Sequence, residues 1–408
     1  MSTTLRTRAA ETALDIAREL RDPATVTTGL SARAAHTLCY GLAGTALLHA
    51  CLTDAEPTSA ATAAAHWKAA GQLLANAPPD GIHTGPGAVA ASLIIGTGYL
   101  TPHDPHHDLL PRATAWLSAR ATALARHHHQ RAGKQQGTPW MVYDAIKGLA
   151  GIGRVLLAAH TRGLRTDAEP GLRAALGALT HMILTPLAAR PGWWLPADLH
   201  PPTVQIPDTG AATTGLAHGI AGPLALLAAA HQAGHTVPGQ ADAIRTAATW
   251  LVTRQSLNRT WPPHISGAAL DGRRESTSRP EGRTSAWCYG TPGIATALRG
   301  AGHAVDEAAF HRAAEAAMTA LAARRPNEWD TEGTALCHGS AGILQAAHRF
   351  ARRSLAERAA HTTLTHAPFS RPQGFLTGRA GTALALADHG GLLPGRAAEA
   401  WDCLILLS

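Results

Sequence analysis

Two kinds of apolar run take turns along this chain. Residues 60–77, 110–130, 171–184, 241–257 and 307–324 carry apolar side chains at helical spacing with a polar opposite face, the pattern of surface helices. Between them lie shorter runs that are apolar nearly all round, such as 45–48, 88–93 and 152–157. A helix with no polar face must be buried on every side. The N-terminal segment reads as a mixed-polarity helix without an apolar signal core.

A small-residue motif with paired glycines introduces each all-apolar run. It occurs at 39–44, in contracted form at 83–87, and again at 147–151, 216–222, 287–293, 335–342 and 377–381. Repeats of outer helix, loop and inner helix predict an all-α fold. The simplest closure is an α/α toroid of seven inner helices surrounded by outer helices, in a single domain over residues 1–408. An open solenoid would need a polar side on each inner helix, and the runs show none. The glycines are expected to take backbone angles other residues resist and to let the inner helices crowd toward one axis. Residues 190–214 break the repeat, with Pro191, Pro196, Pro201, Pro202 and Pro207 around Trp193 and Trp194, and read as an irregular loop or small insertion. The polar stretch 271–283 reads as a surface loop rimming the mouth.

Composition narrows the class. The sequence is 45% apolar but only 4% aromatic, so alanine and leucine carry the burial, which favours close helix packing. A charged fraction of 15% argues against disorder despite 26 prolines. The net charge of +7 favours acidic partners. The arginines are spread out, with no basic block interleaved with aromatics, so no nucleic-acid partner is expected. Five cysteines, an odd number, do not make a disulfide framework in a chain of this length and suit a reducing, cytoplasmic setting. No uninterrupted apolar run reaches the roughly 18 residues of a membrane span.

The chemistry sits just before the glycines. Aligned on the first glycine, the preceding pairs are Cys39-Tyr40, His83-Thr84, Ile146-Lys147, Ala217-His218, Cys288-Tyr289, Cys337-His338 and Leu376-Thr377. Equivalent positions in a closed ring face one cavity, so Cys288, Cys337 and His338 converge from neighbouring repeats. Two thiolates and an imidazole suit zinc and leave a fourth position open, the catalytic arrangement. Cys51 and Cys403, inside apolar runs, read as packing residues. Cys39 shares the register of Cys288 but points across the cavity, and reads as packing. Asp144 and His218 come from the next two repeats along the same arc. The acid either orients the imidazole for proton transfer, or caps its helix beside a core histidine.

Taken together, Tyr143-Asp144, the stretch 215–219, Trp287-Cys288-Tyr289-Gly290 with Pro292 and Gly293, and Cys337-His338-Gly339 with Ala341 and Gly342 resemble a lanthipeptide cyclase of the LanC type. The resemblance runs from about Cys39 to Leu386. It implies a toroid with one central zinc on Cys288, Cys337 and His338, catalytic Asp144 and His218, and an active-site Tyr289. It also implies a functional arginine, Arg283 by position, with Arg279 a rival because the spacing from Arg283 to Cys288 is one residue longer than the family pattern leads one to expect. Thr213-Thr214-Gly215 stands where an Asn is common in the family. The implied reaction is intramolecular Michael addition of peptide cysteine thiols to dehydroalanine or dehydrobutyrine, giving lanthionine or methyllanthionine. Its substrate is a dehydrated precursor peptide of leader and core. A separate dehydratase partner is implied, since the toroid occupies the chain. Two other readings stay open: a peptide-binding scaffold whose structural zinc is closed by Cys39 or His83, and another zinc-thiolate transferase on a helical toroid.

Overall fold

A computed structural model describes residues 3–75, 77–188, 190–201, 204–273, 284–366, 372–394 and 399–408. Long helices alternate between two layers. The outer layer holds α1 (Thr3–Glu19), α3 (Ser59–Gln72), α5 (Leu110–Ala132), α7 (Arg165–Leu184), α9 (Gln240–Thr253), α11 (Ala308–Ala323) and α13 (Arg353–Thr365). The inner layer holds α2 (Leu42–Cys51), α4 (Gly85–Gly96), α6 (Leu149–Thr161), α8 (Ala221–Gln232), α10 (Thr291–Val305), α12 (Ser340–Arg349) and α14 (Arg379–Gly390). Every residue of α2 is buried, as the absence of a polar face requires. Each inner helix packs on the next, and α14 returns to α2, so the fold is a closed α/α toroid.

The pairing of layers differs from the order the repeats suggest. Each inner helix packs most extensively on the outer helix that follows it, and α14 takes α1 from the far end of the chain. Loop length is the reason. Only Asp306 and Glu307 separate α10 from α11, and so short a link leaves an antiparallel partner no other place. The longer outer-to-inner loops gather at the opposite end, which becomes the mouth.

A circle of backbone hydrogen bonds joins these loops. Cys39 N–H donates to His83 (3.1 Å), His83 to Ile146 (3.4 Å), Ala145 to Ala217 (3.1 Å), and Ala217 to Cys288 (3.0 Å). Cys288 donates to Cys337 (3.4 Å), Cys337 to Leu376 (3.0 Å), and Phe375 to Leu38 (2.8 Å), which closes the circle. The aligned register is therefore the register in which neighbouring repeats bond, and buried loop amides find partners around the axis.

The motif glycines work through close approach. Among them only Gly85 has a positive φ, at +64°. At Gly342 an added Cβ would lie 2.3 Å from the Leu336 carbonyl oxygen, and at Gly293 it would lie 2.3 Å from that of Trp287. The loop folds back over the first helical turn, and only a missing side chain leaves room. Gly342→Ala is expected to lower stability by about 1–3 kcal/mol, as overpacking does. Urea unfolding measures it, and an unchanged midpoint would mean the loop yields freely.

The described part of 190–214, which omits residues 202 and 203, holds regular structure among its prolines. Trp194–Leu195 and Ala211–Thr213 form strands that join His264–Ser266 in a three-stranded antiparallel sheet with the middle strand central. Trp194 pairs with Ala212 and Thr213 with His264, which braces the chain just before Gly215 and His218. Of 271–283, residues 274–283 lie outside the described residues; Asp271 pairs with Arg190 at 2.9 Å and Arg273 at 2.8 Å.

The C-terminal segment fills the axis of the ring, a role its sequence does not announce. Trp401 to Leu407 are buried. Trp287 donates its indole N–H to the Ile405 carbonyl at 2.9 Å, and His83 donates Nε2–H to that of Leu404 at 3.1 Å. His83 and His49 are both held neutral, their pKa driven down to about 4 chiefly by burial. An unfolded histidine titrates near 6.5, so between 6.5 and 4 the unfolded chain takes up protons the folded chain refuses. Their stabilisation is complete above pH 6.5 and is lost as pH falls. Between pH 6.5 and 5 the loss should be about 2 kcal/mol per group. Urea unfolding across this range should show that slope, and His83→Gln should flatten it.

Candidate metal centre and acid–base pair

Cys288 and Cys337 are far apart in sequence but adjacent in the loop circle, where the backbone of one bonds the other. The Cys288 Sγ lies 3.1 Å from His338 Nδ1, and the donor atoms of Cys288, Cys337 and His338 lie within 4.8 Å of one another. Both cysteines are buried and His338 is half-buried. Tetrahedral zinc with bonds of about 2.0–2.3 Å separates its ligand atoms by roughly 3.3–3.8 Å, inside the observed spread. The donor set and its spacing fit zinc. No disulfide joins the described cysteines.

The two residues that could close such a site are engaged elsewhere. Cys39 lies 3.9 Å from the Thr377 hydroxyl, and burial pushes its thiol up to about 11. His83 turns to the C-terminal segment, as above. Neither joins the converging group among the described residues. Cys51 and Cys403 are buried in the core, and burial lifts the Cys403 thiol to about 12.

Asp144 and His218 meet, and the acid does two jobs at once. Its Oδ1 accepts from the backbone N–H groups of Ile146 (3.0 Å), Lys147 (2.7 Å) and Gly148 (2.9 Å), which fixes the loop that leads into α6. Its Oδ2 lies 2.7 Å from His218 Nδ1. Three amide donors occupy Oδ1, and at Oδ2 the His218 Nδ1–H donates, which leaves Nε2 as the free ring nitrogen. The Asp144 side chain is 2% exposed and that of His218 31%, so the imidazole edge reaches solvent while its anchor stays dry.

Tyr289 lies between this pair and the thiols. Its ring centroid is 6.2 Å from that of His218, and it follows Cys288 directly. Burial first, then the Cys288 thiolate, raises its pKa well above the ordinary phenol value, so it remains a proton donor. Arg283 and Arg279 lie outside the described residues.

Trp140 escapes sequence reasoning, and Tyr143 and Thr213 are read there without a contact to His218. Trp140, on the short helix Trp140–Tyr143, stacks on His218 with centroids 5.1 Å apart and planes at 14°. Thr213 donates its hydroxyl to the His218 carbonyl at 2.8 Å, and the Tyr143 hydroxyl lies 3.3 Å from that of Thr213. Thr213 immediately precedes Thr214 and Gly215, so the departure from the family pattern sits beside a residue that fixes the histidine's backbone. Trp140 stands four residues before Asp144, a spacing that carries no signal in a short, irregular segment.

Comparison with known proteins agrees with the fold. A family profile described as "Lanthionine synthetase C-like protein" matches residues 34–391. No curated protein sequence matches. Among solved structures, nisin cyclase aligns with a TM-score of 0.76 at 20% identity, covering 92% of this chain and 93% of that one. Identity at that level speaks for the shared fold. No described helix is long and apolar enough to cross a membrane.

Proposed function

This chain belongs to the lanthionine synthetase C-like family, and from that membership we propose that it is a zinc-dependent cyclase. It adds cysteine thiols of a dehydrated precursor peptide to dehydroalanine or dehydrobutyrine in the same peptide. The observation that carries the reading is one mouth holding three convergent soft ligands and, across Tyr289, a carboxylate-anchored histidine. Cys288, Cys337 and His338 hold the metal. Bound there, zinc supplies the Lewis acidity that lets a peptide thiol lose its proton near neutral pH. Engagement of Cys39 and His83 elsewhere supports an open fourth position over a closed structural site.

A free thiol with pKa near 8.5 is only about 3% ionised at pH 7, so complete ionisation contributes about 2 kcal/mol. Holding sulfur and alkene in line contributes up to about 7–11 kcal/mol, so positioning by the mouth dominates. The sulfur forms a bond to the alkene's β-carbon, and the π electrons move onto the neighbouring carbonyl as an enolate. His218 Nε2 is placed to take the thiol's proton and return one to the α-carbon, so protons balance over the cycle. Tyr289 donates to the enolate oxygen, and Arg283, with Arg279 as its rival, meets the developing charge. Inner-helix N-termini at the mouth favour both anions. The dehydrated peptide comes from a separate dehydratase, and the +7 charge suits an acidic leader.

Incubation with a dehydrated, cysteine-containing peptide, followed by thiol alkylation and mass spectrometry, tests the function. Loss of alkylatable thiol at constant peptide mass is the expected result. Bound peptide with intact thiols would make the protein a scaffold.

A further inference from the structure

We propose a second metal site, for a zinc-class divalent cation, in the outer helical layer at His128, His129 and His181. Sequence alone argues against a site in the run His127-His128-His129, because three consecutive helical side chains cannot converge. The structure keeps that objection for His127 and supplies a third ligand from elsewhere. His128 and His129 lie on α5, and His181 comes from the adjacent α7. The ligand atoms of the three lie within 4.8 Å of one another.

The ring geometry is the strongest part of the case. The His128–His129, His128–His181 and His129–His181 centroids are each 5.1 Å apart, with interplanar angles of 57°, 72° and 75°. Imidazoles bound tetrahedrally at about 2.0–2.1 Å would place their centroids about 5.3 Å apart. An equilateral set of inclined rings is what a shared ion requires; a hydrogen-bonded pair does not require a third ring at the same distance.

Two further features belong to metal sites. The Thr138 hydroxyl lies 2.8 Å from His128 Nδ1, which leaves Nε2 for the ion, the usual way an outer partner fixes a ligating histidine. That Nε2 lies 3.0 Å from His181 Nδ1, close to the spacing of two ligands on one ion. A cavity of about 570 Å³ opens beside the triad, lined by His128, His181, Thr138, Met182 and Trp194. Three protein ligands and that cavity leave a fourth position for water. Neutral nitrogen ligands select zinc, cobalt or nickel over magnesium or calcium. Filling the site ties α5, α7 and Thr138 together, two residues from the Trp140 that stacks on His218.

Chelator-treated protein titrated with Co²⁺, then Zn²⁺, tests this independently of the cysteine centre, because thiolate-bound cobalt gives a near-ultraviolet charge-transfer band and imidazole-bound cobalt does not. Wild type is expected to take up two equivalents. The His129→Ala/His181→Ala variant, which spares buried His128 and should fold, is expected to take up one and keep the charge-transfer band. A single wild-type equivalent carrying that band, or a second equivalent that persists in the variant, overturns the proposal. A single equivalent without the band, lost in the variant, upholds this site and removes the cysteine one.

Discussion

Cys337→Ala is expected to abolish metal retention and ring closure together. Zinc should fall from about one equivalent at the cysteine centre to less than a tenth, and cyclisation should slow by at least about 1,000-fold. Cys337 offers one of three converging donors, and two donors hold a zinc ion far less well than three. The rate loss follows because the thiol then loses both its ionisation and, at greater cost, its fixed position. The fold should survive: Cys337 is joined to Cys288 and Leu376 through backbone groups that alanine keeps, and the lost sulfur leaves little volume. Metal analysis, circular dichroism and the thiol-alkylation assay on one preparation separate the possibilities. A metal-free variant that closes rings at the wild-type rate would remove the centre from the mechanism.

His218→Asn is expected to leave zinc bound and slow ring closure by about 100- to 10,000-fold, the range general acid–base catalysis supplies. The asparagine amide can still donate to Asp144 Oδ2, so the loop that Asp144 holds ahead of α6 stays intact. What goes is the second ring nitrogen, the only atom of the pair able both to take and to return a proton. Loss of metal together with rate would make His218 a ligand and overturn the division of labour between the two halves of the mouth.

The convergence of the candidate donors Cys288, Cys337 and His338 was legible because a closed ring turns sequence register into position. Cys288, Cys337 and His338 hold corresponding places before a first glycine, and each such place must meet the axis at the same height. Asp144 was harder. It stands two residues ahead of the aligned register, and the competing readings, cap or catalytic partner, exclude each other only if the carboxylate has a single oxygen to spend. It has two, and they point to different partners. Of the two reasons expected for the glycines, close approach holds at Gly293 and Gly342 and a special backbone angle holds among the motif glycines only at Gly85, because steric approach of the loop leaves no mark in the sequence distinct from a need for positive φ.

The sequence by itself determined the layers, the count of repeats and the ring of candidate ligands, because burial on all faces and a fixed repeat are properties of local stretches. Only the tertiary structure decided which outer helix each inner helix takes, that Trp401 to Leu407 fill the axis, that three short strands brace the approach to His218, and that His181 completes a triad with His128 and His129. Those contacts join positions that do not correspond between repeats. Periodicity fixes only the height and direction of a side chain within its own repeat, and which unlike neighbour it meets is settled by close packing of the whole.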